Sequence, residues 1–237
     1  MIMTIQRILV LVLLIVSAAV AAQEVVPTLS NGLAAYDARD YQTAWKILYP
    51  LAEQGEVEAQ RKIGVMLRHG QGVSKDDVKA IYWYRKAAEN GHVRAQNSLG
   101  VMYRFGMGVK RDPIEAARWI KAAAEQGDAK AQENLALIYM DGDGLKQNDE
   151  QAARWFQKAA MQGQTKSQLT LGLMTLAGRG VKQDNAAGMR WIQHAAEQGS
   201  PRAAEALAKA YAEGLYGMPR DPMLARHWYQ KAGQAVH

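Results

Sequence analysis

Apolar residues recur along most of the chain at three- and four-residue spacings, and the whole pattern restarts every 36 residues. Residues 92–127 illustrate the unit. Ala95, Leu99 and Tyr103 stand four apart, which places them on one stripe of a helix predicted over Val93–Phe105. Gly106-Met107-Gly108-Val109 then breaks that helix, and Asp112-Pro113 opens another, with the aspartate as N-cap and the proline at the first helical position. Glu115 follows Asp112 by three residues, as Gln151 follows Asn148, which is the spacing of a capping box. Ala116, Trp119, Ile120 and Ala123 form the stripe of the second helix, and Gly127 closes it in the left-handed region. The unit is a helical hairpin.

The hairpin recurs without drift. Its closing phrase reads Leu51-Ala52-Glu53-Gln54-Gly55, Ala87-Ala88-Glu89-Asn90-Gly91, Ala123-Ala124-Glu125-Gln126-Gly127, Ala159-Ala160-Met161-Gln162-Gly163 and Ala195-Ala196-Glu197-Gln198-Gly199. Trp83, Trp119, Trp155 and Trp191 keep the same period, and Trp228 continues it after a one-residue insertion. Gly64, Gly100 and Gly172 share a column with Ala136 and Ala208, a small position inside a helix that signals close helix–helix approach. A fixed period of this length marks a solenoid, whose units bury their apolar faces on one another. The register divides the chain into repeats at 56–91, 92–127, 128–163, 164–199 and 200–237. A divergent pair of helices, about Leu29–Ala38 and Tyr41–Gln54, falls within 23–55 and reads as a linker plus an N-terminal capping hairpin. The predicted fold is all-α, a superhelical solenoid of about six antiparallel hairpins.

Residues 1–22 read differently. Arg7, an apolar run over Ile8–Val16 and the ending Val20-Ala21-Ala22 follow the order of a cleavable secretory signal, with the cut expected before Gln23. The expected location is therefore the periplasm, or beyond it, with no stable membrane insertion after cleavage. The chain has no cysteine, so stability must come from packing without disulfides. The formal charge of +6 would suit nucleic acid in another compartment. Export argues against that partner and for an acidic protein segment, an anionic polysaccharide or a lipid headgroup.

The run Ala95-Gln96, Leu99-Gly100, Tyr103, Gly106-Met107-Gly108-Val109, Asp112, Ala116, Trp119, Ala123-Ala124, Gly127 resembles the Sel1-like repeat, a relative of the tetratricopeptide repeat. The resemblance extends over residues 30–235. It implies a right-handed superhelix with first helices lining the concave face, and adaptor or scaffold work. A cysteine-stapled branch of that family is linked to β-lactam or peptidoglycan-type chemistry, and this cysteine-free chain departs from it.

No motif supplies catalysis. Asp141-Gly142-Asp143-Gly144 begins like a calcium loop, but Leu145 and Ala152 stand where that loop needs oxygen ligands, so the segment reads as the recurring turn. His69, His92, His194, His227 and His237 fall in unrelated columns without a zinc-binding spacing. No cofactor is implied, and the chain is read as a non-enzyme. The tryptophan column reads as core packing, because small residues flank it on the same stripe. Arg118, Arg154 and Arg190, with Lys110, Lys146 and Lys182 in the turns, read as solvated edges or as a rail for an anionic polymer.

Function in such an array should lie where repeats differ on their exposed face. Winding the first helices at 100° per residue turns one set of positions away from the core. That set gives Arg61, Lys62, Val65, Arg68 and His69, then Val101, Arg104 and Phe105, then Leu137 and Met140, and then Leu169, Leu173 and Leu176. The predicted groove runs from basic to apolar and suits a protein or peptide partner with acidic and apolar residues. The alternatives are a module acting on a cell-wall polymer and a subunit that stacks end to end.

Overall fold

The computed structural model describes residues 28–234, so the signal-like segment lies outside the described residues. Twelve helices follow one another among them: α1 (Leu29–Asp37), α2 (Tyr41–Glu53), α3 (Val57–His69), α4 (Asp77–Glu89), α5 (Val93–Phe105), α6 (Pro113–Glu125), α7 (Ala129–Asp141), α8 (Asp149–Met161), α9 (Thr165–Ala177), α10 (Asn185–Glu197), α11 (Pro201–Glu213) and α12 (Pro222–Gln234). Each helix packs chiefly on the helices next to it in the chain, the contact pattern of a solenoid. No described helix is long and apolar enough to cross a membrane.

Local chemistry sets the boundaries. Asp76, Asp112, Asn148 and Asp184 cap the second helices by accepting from the backbone N–H of Lys79, Glu115, Gln151 and Ala187. The capping box is only half made at Asp112. The Glu115 side chain instead accepts from Arg118 Nε at 3.0 Å and from Trp119 Nε1 at 2.7 Å. First helices α3 to α11 end on Gly70, Gly106, Gly142, Gly178 and Gly214, all left-handed.

Two glycine columns set how tightly helices stack. A Cβ at Gly100 would lie 2.5 Å from Ile120 Cγ1 and 2.9 Å from the Ala116 carbonyl oxygen, so α5 approaches α6 backbone to side chain. The second glycine of each turn does the same between hairpins. A Cβ at Gly108, Gly144 or Gly180 would fall 2.0–2.3 Å from the backbone that opens the preceding second helix, at Asp77, Pro113 and Asp149. Each of the three also has φ between +68° and +90°. The turn that breaks one hairpin is thus a seat on the previous one.

A glutamine column adds a polar clasp. Gln60, Gln96, Gln132 and Gln168 are buried, and their Nε2 groups donate to the carbonyls of Ala52, Ala88, Ala124 and Ala160 at 3.2–3.3 Å. Those carbonyls are among the last in second helices and already accept the N–H of the closing glycine at 3.0–3.1 Å, so each glutamine adds a second donor to the helix end. The clasp ties each first helix to the end of the hairpin before it.

The tryptophan column does not form the innermost layer. Trp83 and Trp228 are buried, but Trp119, Trp155 and Trp191 are only half-buried. The residue one step on fills the interior instead: Leu48, Tyr84, Ile120, Phe156 and Ile192 are each at most 1% exposed. The indoles lie along the flank of that layer, with basic side chains over their outer faces. Arg118 stands 4.5 Å from the Trp119 ring centroid and Lys158 3.9 Å from that of Trp155. Tyr229, the counterpart of these interior residues, is 48% exposed because no described helix packs beyond α12.

Candidate functional site

First helices of successive hairpins meet side by side, and their facing residues form the surface where repeats differ. Asn134 Nδ2 on α7 donates to Asn97 Oδ1 on α5 at 2.8 Å. Ser167 Oγ on α9 donates to Glu133 Oε2 on α7 at 3.0 Å. Along this surface Val65, Val101, Leu137 and Leu173 stand one repeat apart, one on each of α3, α5, α7 and α9. The first three are half-buried and border the core, whereas Leu173 is 48% exposed. Phe105, at the end of α5, is 61% exposed.

A cavity of about 690 Å³ opens on the same surface where α7, α9 and the start of α11 converge. Leu137, Leu169 and Phe156 form apolar walls, Glu133 lies in its lining, and Lys166 and Arg202 are exposed at its edge. Two expected groove residues therefore take part, while Leu173 lies one helical turn beyond Leu169. Met140 is half-buried against the core of its own hairpin.

Leu176 is a correction. It was expected in the exposed apolar patch, but it is 5% exposed and packs with Met189 and Ile192. The cause is Gly188, whose missing side chain leaves room: a Cβ there would fall 2.7 Å from Leu176 Cδ2. Sequence winding alone does not register that a glycine on the next helix draws a borderline leucine inward.

The basic end is corrected as well. Arg61, Lys62 and Arg104 were expected to face a partner, yet their side chains are only 11–15% exposed. Arg104 donates to Asp141 Oδ2 at 2.8 Å and to Asp143 Oδ2 at 3.2 Å, so the next hairpin's turn already neutralises it. Lys62 Nζ lies 3.8 Å from the centre of the Tyr36 ring. Arg61 is held by Glu58, its Nε donating to Oε2 at 3.0 Å. Arg68 is half-buried, with Nη2 3.6 Å from Met107 Sδ, and His69 is exposed. The carboxylates that consume these charges lie on the same or the adjacent unit, a pairing that treating each repeat singly does not reveal.

Glu58 also ties two hairpins together. His92 Nε2 lies 2.6 Å from Glu58 Oε2, while His92 Nδ1 accepts the Ala95 backbone N–H at 3.4 Å. With Nδ1 accepting, the hydrogen sits on Nε2 and is donated to the carboxylate. Burial pushes the Glu58 carboxyl up, but hydrogen bonds from His92 and Arg61 and the Arg61 charge outweigh it, bringing the pKa down to about 2. His92 is at once N-cap of α5 and partner of α3, so this cluster is a joint in the scaffold.

Among the described residues no group of three or more His, Cys, Asp or Glu side chains is placed to hold a metal ion. The glutamine column was what single-repeat reasoning passed over, whereas winding the third repeat's first helix already turns Glu133 towards the groove. Gln96 belonged to the repeat phrase, but its role needs the neighbouring hairpin to be seen.

Comparison with known proteins agrees with this architecture. The Sel1 repeat family model matches at residues 57–92, 93–128, 129–164, 165–200 and 201–237. A Sel1 repeat protein from Oxalobacter formigenes is 33% identical, with a TM-score of 0.81 over 88% of this chain and 85% of that one. A protective antigen present in uropathogenic Escherichia coli strains, displaying an SLR fold, is 34% identical with a TM-score of 0.79. That match covers 83% of this chain but only 42% of the antigen. An immunity protein from Pseudomonas aeruginosa is 17% identical with a TM-score of 0.60 over 87% of this chain and 82% of its own, a likeness of fold alone. No curated protein matches the sequence. Repeats of this type build scaffolds that commonly mediate protein–protein contact and are typically non-catalytic. With five consecutive repeats matched, this chain belongs to the Sel1 repeat family.

Proposed function

We propose that the protein is an exported, non-catalytic adaptor that holds an extended segment of a partner protein along its first-helix surface. The observation that carries this reading is the aliphatic column Val65, Val101, Leu137 and Leu173, one residue per hairpin, ending at an exposed leucine beside the cavity. Alternate side chains of an extended segment could follow such a column across successive helices, and partly exposed contiguous apolar residues suit an interaction site. Export is supported by Arg7, the Ile8–Val16 run and the Val20-Ala21-Ala22 ending. The neutralised Arg61 and Arg104 shift the expected complement on the partner from acidic to chiefly apolar.

Selection of random extended peptides on the protein, followed by titration of the winners, tests the groove. Leu173→Asp should weaken those peptides by at least tenfold while leaving the fold intact, because desolvating an introduced carboxylate opposes binding. Arg154→Glu, on the outer edge, should leave them unchanged. Peptides that bind Leu173→Asp as tightly as the wild type would remove the groove from consideration. N-terminal sequencing of protein from an envelope fraction should begin at Gln23 or within a residue or two of it, and intact Met1 in a membrane pellet would replace the cleaved signal by an uncleaved anchor.

A further inference from the structure

The cavity between α7, α9 and α11 contains a carboxylate that the scaffold leaves without a countercharge. Glu133 is 7% exposed, and its one hydrogen bond comes from the neutral Ser167 hydroxyl at 3.0 Å, onto Oε2. Among the described residues no basic group comes within ion-pair distance of it. Lys166 and Arg202 border the same cavity but are exposed to solvent, and neither is paired with Glu133. Buried carboxylates elsewhere in proteins are matched by cations or by several donors, whereas Glu133 has one neutral donor on Oε2, and Oε1, which has no protein partner, is not sealed from solvent.

The column that contains Glu133 reads Arg61, Asn97, Glu133, Leu169 and Glu205 down the repeats. At the first of these positions a half-buried charged group has its partner, Arg61 with Glu58. At Glu133 the surroundings are instead an open cavity with Leu137 and Leu169 on its walls. Those walls suit methylene groups, and Glu133 suits a positive charge at their end.

We infer that this cavity is the specificity pocket of the groove and receives a lysine side chain of the bound segment, stem on Leu137 and Leu169, ammonium on Glu133. The inference rests on the groove reading above. Lysine is the simpler fit, because the apolar walls match its methylene stem and its compact ammonium needs only one acceptor site of a carboxylate that already accepts from Ser167. Lys166 and Arg202, facing the same cavity from α9 and α11, favour an acidic residue beside that lysine.

The test uses a probe small enough to need only the pocket. Pentylammonium and pentanol share a stem and differ in the charged head. Titration of the 15N-labelled protein with each should shift resonances of Leu137, Leu169 and their neighbours, with at least tenfold tighter binding of the amine. Glu133→Gln keeps an acceptor for Ser167 and removes the charge, so it should bring the amine down to the level of the alcohol. Equal affinities for amine and alcohol in the wild type, or amine shifts elsewhere on the surface, overturn the assignment, as does undiminished amine binding by the variant. The wild-type comparison stands even if the variant folds poorly. Failure of the groove reading looks different: groove-selected peptides would then ignore Leu173→Asp, whereas failure of the lysine assignment alone leaves them sensitive to Leu173→Asp and indifferent to Glu133→Gln.

Discussion

Replacing Gly144 by alanine should cost more than its backbone angle explains. Gly144 has φ +90°, and a Cβ there would lie 2.0 Å from the Pro113 carbonyl oxygen and 2.4 Å from its carbon. A left-handed backbone costs a non-glycine residue about 1–2 kcal/mol. Relieving the overlap requires the turn after α7 to lift off the start of α6 by more than an ångström, and such overpacking costs roughly 1–3 kcal/mol. The total expected for Gly144→Ala is therefore about 2–5 kcal/mol.

Gly127 supplies the control, because its φ of +95° is nearly the same and a Cβ there would meet nothing within 4 Å. Gly127→Ala should pay the backbone cost alone, about 1–2 kcal/mol. Urea unfolding of both variants measures the two losses. Native-state hydrogen exchange would place the extra loss at α6 and α7, since hairpins in a solenoid couple mainly to their neighbours. Equal destabilisation by the two substitutions would refute the reasoning, because it would mean that the turn does not sit against the preceding helix.

Other substitutions probe the layers separately. Phe156→Ala, at 1% exposure, should cost about 3–5 kcal/mol, and Trp119→Ala roughly half as much because its ring is only half-buried; equal losses in thermal or urea unfolding would restore the tryptophans to the innermost layer. Leu176→Asp should disrupt packing around α10, since it buries an unpaired charge, whereas Leu173→Asp should shift stability by only ~0.5 kcal/mol; circular dichroism melts of the pair decide whether the two leucines face opposite ways. The Glu58 carboxyl, about 2 when folded against 4.5 ordinarily, contributes stability that is complete above its unfolded value and is lost as pH falls from about 5 towards 2. After allowance for solvent screening that contribution is on the order of 1 kcal/mol, and the gap in unfolding free energy between wild type and Glu58→Gln should close over that range; a gap independent of pH would contradict the His92 and Arg61 contacts.

The helix boundaries were legible because each is written in local chemistry. Val93–Phe105 could be read from Ala95, Leu99 and Tyr103 together with the glycine that follows, and the helix occupies those residues. The close approach at Gly100 was legible for the same reason, since a helix bears the cost of glycine for contact. What one repeat did not show was the third dimension between repeats. Trp119 satisfies every sequence criterion for a core residue, yet its neighbour Ile120, on the same stripe, takes the interior and leaves Trp119 half-buried. Leu176 was misplaced by about one helical step, and the reason, Gly188, lies on a different helix. Arg104 looked available because its partners, Asp141 and Asp143, were assigned to a turn one repeat further on.

These differences share a physical origin that bears on function. The positions fixed by the repeat, such as the glycine seats and the glutamine clasps, spend their interactions on the adjacent hairpin and have little left for a partner. Charges that occur in the groove mostly do likewise: Arg61 pairs with Glu58, and Arg104 with Asp141 and Asp143. A partner can gain most from groups that the lattice of hairpins neither buries fully nor neutralises. By that criterion Leu173 and Phe105 stand out for exposed apolar surface, and Glu133 for an uncompensated charge. Leu173 and Glu133 lie on neighbouring first helices, α9 and α7, and Leu137 and Leu169 line the cavity between those helices. Recognition should therefore concentrate on the third and fourth repeats, with the earlier hairpins serving to hold the register of an extended partner.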